Sequence, residues 1–311
     1  MRTHVINRLV EKARENNKIV LLVGDLGFHV VEDFQCEFPD RFINCGIAEQ
    51  NMMAVASGMA KEGDIVFVYS IGNFPTLRCL EQIRNDVCYH HVNVNIISVG
   101  GGFSYGTLGM SHHTTEELAI LRALPGIKVY APADFHEAVS VLDDVIGDPS
   151  PTYMRLARGS DQEFYDESFN GNIQKLIPYD VKWDEQVDVS IVSSGPILEE
   201  AINVQNVLNS YGIRTNLFSS PAVKPLDEEG LIRIGKKSRL IISIEEHNVL
   251  GGLGGAVAEV LAGQNQHAPL LRFGLPDVYS GEVGSREYLR KYYGIDAESI
   301  VKKTVERMNY L

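Results

Sequence analysis

Short unbroken apolar runs alternate along the first half of the chain with stretches whose apolar residues recur every three or four positions. The runs at 19–23, 41–45, 65–70, 92–99, 128–131 and 152–156 read as strands. Between them, 3–16, 48–61, 75–89, 115–122 and 135–147 carry helical periodicity. Strands apolar on both faces and separated by helices predict a parallel sheet covered on both sides. The pattern fails from 159 to 186, which is polar, acidic and turn-rich and predicts a surface connector. Alternation then resumes, with strands at 187–193, 215–219, 240–245 and 270–273. Helices are predicted at 197–211, 227–236, 253–263, 285–293 and 297–309. The expectation is two doubly wound α/β domains, 1–158 and a smaller 187–311, joined by 159–186, with neither half repeating the other.

Open α/β sheets bind ligands beyond the carboxyl ends of their strands. That rule selects Gly24-Asp25-Leu26, residues 46–49, Gly72-Asn73-Phe74, the loop 100–113 and Arg158, all expected at one rim. Glu49 stands in the first turn of a helix of small residues, among them Ala54, Ala56, Ser57, Gly58 and Ala60. A carboxylate there gains from the helix dipole and is usually a surface charge. Apolar side chains at 48, 52, 55, 56 and 59 predict a buried face, so Glu49 enters a packed region where an ionisable group needs a partner.

The loop 100–113 holds five glycines and closes on His112 and His113, just before a helix start. A loop of that length inside a packed domain is usually functional, so at least one of the two histidines is expected to face a substrate. A metal site built from His29, His112 and His113 lacks supporting Asp or Cys spacing. Asp25 has a plainer reading as a carboxylate satisfied by nearby amides, and Phe74 one as core. Gly252-Leu253-Gly254 looks like a dinucleotide fingerprint, but Val257 stands at its third glycine position. Close packing of helix on strand explains those glycines better, and Glu245, Glu246 and His247 before them are expected at an interface or in solvent.

Composition narrows the classes. At 311 residues and 44% hydrophobic content the chain is a globular protein with room for two domains. A net charge of −13, with no basic run, excludes nonspecific nucleic-acid binding. Residues 1–4 lack the apolar core of a signal peptide, and no apolar stretch is long enough for a bilayer. Cysteines 36, 45, 79 and 88 form no Cys-x-x-Cys pair and fit reduced thiols in the cytoplasm.

Taken together, Gly46-Ile47-Ala48-Glu49-Gln50-Asn51, the loop ending in His112 and Glu245-Glu246-His247-Asn248 followed by Gly251-Gly252 resemble the C-terminal half of transketolases. The resemblance is closest to the C-terminal subunit of split transketolases and covers nearly the whole chain. It implies a pyrimidine-binding domain over residues 1–158 and a transketolase C-terminal domain over 187–311. It also implies thiamin diphosphate as cofactor, with Glu49 hydrogen-bonding N1′ of its aminopyrimidine as the catalytic carboxylate. Phe74 would stack on that ring, and Asp25 and Leu26 would line its pocket. His112 would contact substrate hydroxyls and handle protons, with His113 beside it. Arg2 and Arg158 match the two arginines that hold a sugar phosphate.

Departures from the family pattern are equally specific. His29 stands where a serine is expected, Gly100 where a histidine is expected and Leu108 where an acidic residue is expected. A substrate-binding role for His29 would therefore differ from that of the serine, and a modified, deoxy or nucleotide-linked sugar is expected in place of ordinary pentose phosphates. Family members hold the diphosphate and Mg²⁺ through Gly-Asp-Gly followed by Asn. This sequence has no Gly-Asp-Gly; Gly24-Asp25-Leu26 and Gly147-Asp148-Pro149 come nearest. An N-terminal, diphosphate-binding transketolase subunit is the implied partner, with homodimerisation inside an α2β2 heterotetramer. Transfer of a two-carbon ketol unit is the favoured activity. The beta subunit of a 2-oxo-acid dehydrogenase, a carboligase similar to 1-deoxyxylulose-5-phosphate synthase and a non-catalytic scaffold are the alternatives.

Overall fold

In the computed structural model, which describes residues 1–159, 162–181 and 185–311, the chain forms two sheets. Residues 160, 161 and 182–184 of the expected connector lie outside the described residues. The early strands are β1 (Ile19–Val23), β2 (Phe42–Asn44), β3 (Ile65–Ile71), β4 (Val94–Val99), β5 (Lys128–Tyr130) and β6 (Thr152–Leu156). The later ones are β7 (Ile177–Asp180), β8 (Val187–Ser194), β9 (Thr215–Ser219), β10 (Ala222–Lys224), β11 (Ser238–Asn248) and β12 (Leu270–Leu275). The first sheet has the order β10-β5-β6-β4-β3-β1-β2 and the second β12-β11-β8-β9-β7. Pairing is parallel throughout except at β10 with β5 and β7 with β9.

The helices are α1 (Arg2–Glu15), α2 (Glu32–Glu37), α3 (Glu49–Lys61), α4 (Leu80–Gln82, continuing as a π-helix over Ile83–Cys88), α5 (Glu117–Arg122) and α6 (Phe135–Ile146). Then follow α7 (Leu198–Ser210), α8 (Glu228–Lys237), α9 (Leu253–Ala262), α10 (Arg286–Tyr292) and α11 (Ala297–Met308). Strand β1 shows why its run is unbroken. Ile19, Leu21 and Val23 pack with α1 and α6 on one face, while Val20 and Leu22 pack with α3 on the other. Both faces being dry, no polar position survives. The second sheet is covered by α7 and α11 on one side and α8 and α9 on the other. Among the described residues, no helix is long and apolar enough to cross a membrane.

Three elements depart from expectation. Strand β7 lies inside the expected connector, and β10 returns from the second half to the edge of the first sheet. Both are short antiparallel edge strands with an irregular register, too brief for a period-2 signal. The connector is also anchored: Asp134, the N-cap of α6, accepts hydrogen bonds from the amides of Phe164 and Tyr165 at 2.9 and 3.1 Å. Helix α3 turns differently from the sequence reading. Glu49, Met52, Met53, Ala56, Ser57 and Ala60 are buried, whereas Ala48 and Val55 are exposed and Met59 half-buried. Its outer face carries Ala54, Val55 and Gly58 beside Gln50, Asn51 and Lys61, so hydrophobicity marks the two faces only weakly. A Cβ added at Gly58 would meet nothing within 4 Å.

Two buried carboxyls tie stability to pH. Burial raises Glu137 and Glu245 from 4.5 to about 7. A folded-state pKa above the unfolded one makes the fold bind protons more tightly than the open chain. Their contribution is therefore complete below pH 4.5 and is lost as pH rises through about 7. Urea midpoints are expected to fall between pH 5 and 7.5, and Glu137→Gln should flatten that slope; equal slopes would refute the assignment.

Candidate active site

Because the first sheet is parallel, the carboxyl ends of β1, β2, β3, β4 and β6 share one edge. From β1 the chain moves to β2 on one side, and β3 lies on the other, so a topological switch point opens between β1 and β3. Asp25 follows β1 in left-handed backbone at φ 54°. Asn44, at the end of β2, donates from its side-chain amide to Asp25 Oδ1 at 3.0 Å, and its own Oδ1 accepts from the amides of Asp25 and Gly46. The plainer reading of Asp25, a carboxylate satisfied by an amide, thus describes its contacts. Leu26 is half-buried against the core beneath α1.

Glu49 is the first residue of α3 and is 2% exposed. Arg78 Nη1 donates to its Oε2 at 2.6 Å. Its Oε1 takes no hydrogen bond among the described residues and lies 3.6 Å from where a Cβ on Gly24 would stand. A methyl group at position 24 would thus touch the carboxylate at ordinary van der Waals distance. The Arg78 guanidinium also lies 4.6 Å over the Phe74 ring, and Gln50 holds the Arg78 carbonyl at 3.0 Å. Phe74 meets the His112 ring edge-to-face at 5.5 Å. Glu49, Arg78, Phe74 and His112 therefore form one contiguous chain of contacts.

The loop after β4 is shaped by Gly100, at φ 104°. A Cβ there would stand 2.3 Å from Cε2 of Tyr105, so the tyrosine ring fills the space a side chain at 100 would need. Tyr105 is 7% exposed, tilted against His112 at 5.8 Å and covered by the Arg158 guanidinium at 4.8 Å. Burial raises the Tyr105 pKa, and the charges of Arg158 and Arg2 oppose that rise. Arg2 also bears on Tyr69, which burial pushes up to about 12. Both phenols are thus neutral hydrogen-bonding groups at ordinary pH, set among arginines.

The two histidines separate. His112 is half-buried, its Nδ1 3.1 Å from Ser111 Oγ. His113 is 2% exposed, and both of its ring nitrogens are engaged inside the fold. Its Nε2 donates to the Gly106 carbonyl at 3.0 Å and its Nδ1 accepts from Ser280 Oγ at 2.8 Å. His29 is exposed, also in left-handed backbone at φ 64°, with its amide donating to Glu32 at 2.7 Å. Leu108 is 52% exposed.

Glu245, Glu246 and His247 are all buried, correcting the solvated reading. Glu245 caps α9 by accepting from the amides of Leu253 and Gly254 at 2.7 and 2.8 Å. A Cβ at Gly252 would stand 2.0 Å from Glu245 Oε2, which accounts for a glycine there. His247 donates from Nδ1 to the Asn248 carbonyl, and burial lowers its pKa to about 3. Among the described residues, no three His, Cys, Asp or Glu side chains are grouped to hold a metal ion. The sequence reading passed over Asn44, Arg78 and Tyr105; Phe74 lies in the turn after β3 and Arg78 in a single 3-10 turn, so no helical spacing marked the pair.

Two family models match the chain: the transketolase pyrimidine binding domain over residues 1–162 and the transketolase C-terminal domain over 181–300. A provisionally named transketolase C-terminal section of Methanocaldococcus jannaschii is 36% identical over 306 residues, spanning 96% of this chain and 93% of that protein. A subunit of the apulose-4-phosphate transketolase of Phocaeicola vulgatus is 31% identical over 299 residues, 96% and 94% of the two chains. Among solved structures, a split gene transketolase described as an inactive beta4 tetramer superimposes with TM-score 0.87 at 33% identity, covering 99% and 97%.

Proposed function

We propose, because the chain belongs to the transketolase family, that it is the C-terminal subunit of an enzyme moving a two-carbon ketol unit between sugars. The observation that carries this is the carboxylate of Glu49. It is buried, charge-compensated on one oxygen by Arg78 and open on the other beside Gly24. That geometry suits a flat, basic heterocycle, and the neighbouring Phe74 ring offers a stacking face. The residues present therefore fit the aminopyrimidine of thiamin diphosphate, which when bound supplies the electron sink for cleaving a bond beside a ketose carbonyl.

On this reading the Glu49 carboxylate would hold the aminopyrimidine and serve as the acid–base group there, while Arg78 keeps the carboxylate in place. Asp25 and Leu26 form the pocket wall beyond β1, with Asp25 fixed by Asn44. His112, steadied between Phe74 and Tyr105, handles protons at substrate hydroxyls. Arg2 and Arg158 draw in an anionic group, and His29 stands at the exposed rim. The sugar pocket differs from the family pattern in a definite way. Tyr105 fills the space over Gly100, and Leu108 offers no polar contact. We read residues 1–158 as the pyrimidine-binding domain and 187–311 as the C-terminal domain.

The diphosphate and Mg²⁺ are assigned to polypeptide carrying Gly-Asp-Gly, which these 311 residues lack. A separate N-terminal subunit is favoured, since the chain matches nearly the full length of the Phocaeicola vulgatus polypeptide and of a split-gene tetramer's chain. Calorimetric titration with thiamin diphosphate and Mg²⁺ tests this. The chain alone should bind with Kd above about 1 mM, and a mixture with the Gly-Asp-Gly subunit at least about 100-fold more tightly. Tight stoichiometric binding by the chain alone would overturn the partner assignment. Ordinary efficiency of the mixture on xylulose 5-phosphate and ribose 5-phosphate would overturn the altered pocket.

A further inference from the structure

The loop 100–113 is closed at its base by mutual hydrogen bonds between Gly102 and Thr114, at 2.8 and 3.1 Å. Inside that closure, the second domain reaches it at three places. Glu246 Oε1 accepts from the Phe103 amide at 2.8 Å. The Gly284 amide donates to the Gly106 carbonyl at 3.2 Å. Ser280 Oγ donates to His113 Nδ1 at 2.8 Å. These contacts fall at loop positions 103, 106 and 113. Tyr105 and His112 stand between or beside them.

We propose that Glu246, Ser280 and the Gly284 backbone form a positioning frame through which the second domain fixes the cleft placement of Tyr105 and His112. The frame rests on the reading of His112 as a substrate-handling residue. Each of its parts is itself immobilised. Arg286 Nε lies 3.0 Å from both oxygens of Glu246, and Arg290 Nε donates to Oε2 at 2.6 Å. Burial alone would raise the Glu246 pKa, but the two arginines overcome it and hold the group at about 2, so it stays ionised across the working range. Only glycine at 102 admits the carboxylate, because a Cβ there would stand 2.2 Å from Oε1. At Gly106, likewise, a Cβ would stand 2.5 Å from the Gly284 carbonyl oxygen.

The third part is a closed circuit. Because a carbonyl only accepts, His113 Nε2 carries a proton toward Gly106, and of the two tautomers only the Nε2–H form leaves Nδ1 as an acceptor for Ser280. The His113 ring meets Phe103 edge-to-face at 5.2 Å, and Phe103 stacks on Tyr293 at 5.6 Å. Tyr293 Oη then donates to Ser280 Oγ at 3.3 Å. From the first sheet, Asn73 adds a hydrogen bond to the His113 carbonyl at 2.9 Å. Side chains held this way act on a reaction through the geometry of their neighbours, and small misplacements cost rate without unfolding anything.

Ser280→Ala and Ser280→Thr, made in the full chain, provide the test, with Glu246→Gln as the deeper perturbation. Nitrogen-15 NMR of the wild-type histidine rings should show His113 as the Nε2–H tautomer. Ser280→Ala should give a tautomer mixture and raise amide hydrogen exchange across 100–113 about tenfold, with Ser280→Thr restoring both. In the complex with the Gly-Asp-Gly subunit, Ser280→Ala should lower kcat about tenfold at nearly constant KM, again with rescue by threonine. A mixed tautomer in the wild type, unchanged loop exchange in both Ser280→Ala and Glu246→Gln, or unchanged kcat in an active complex would overturn the frame. A wild-type complex without ketol transfer would count against the functional reading alone, since tautomer and exchange judge the frame without turnover.

Discussion

Glu49→Gln is expected to lower kcat of the assembled enzyme by about 1,000-fold, within the usual range for losing a positioned acid–base group. The substitution keeps shape and volume, and the amide oxygen can still accept from Arg78. What disappears is the charge and the ability to exchange a proton. Stability should barely move, because the Arg78 side chain is 44% exposed and water takes over its solvation. Steady-state kinetics beside thermal unfolding of the same preparations check both halves. Turnover within a few-fold of wild type would sink the assignment of Glu49 and leave a non-catalytic scaffold as the better account.

The largest effect on folding is expected at Arg155. Its Nε lies 3.0 Å from Glu117 Oε1, and its Nη2 donates to the carbonyls of Thr114 and Glu246 at 2.5 and 2.9 Å. Glu117 is 0% exposed, so Arg155→Met strands a carboxylate in a dry interior and removes the donor shared by two carbonyls. Breaking one side of a buried ion pair costs about 3–5 kcal/mol. The sign of its pH dependence follows from Glu117. Burial already raises its pKa above 4.5 against the pull of Arg155, and losing the arginine raises it further. Protonation then relieves the deficit at low pH and ionisation restores it as pH rises. Urea unfolding at pH 5 and pH 8 should show a larger loss at pH 8. Arg155→Met with Glu117→Gln should recover part of the stability; a loss below about 1 kcal/mol in the single variant would show that the pair is replaceable.

Much of the architecture was legible because a doubly covered parallel sheet leaves no polar positions in its strands. Residues 19–23 could not be anything else once helices flanked them. The strand-end rule then selected Glu49, Phe74, the loop ending in His112 and Arg158 without side-chain information, whereas Arg2 entered only through the family resemblance. Three things escaped, each for a physical reason. Strands β7 and β10 are set by pairing with neighbours distant in sequence, not by their own pattern. Arg78 has no local mark, since an arginine near a helix is ordinary until its partner is known. The contact of Tyr105 with Gly100 is invisible because a glycine records that space is needed, never what fills it. His112 and His113 show the same limit on a finer scale: adjacent side chains diverge, and only the fold says that the first meets Phe74 and Tyr105 and the second meets Ser280.

Strand β10 has a consequence for how the molecule is made and how it can be cut. The edge of the first sheet beside β5 is completed by residues 222–224, which a ribosome delivers only after β8 and β9 of the other sheet. Division at the connector would thus not yield two finished halves. The amino-terminal piece would keep an open strand edge, the kind that recruits other chains, and the remaining piece would carry a strand with no sheet to join.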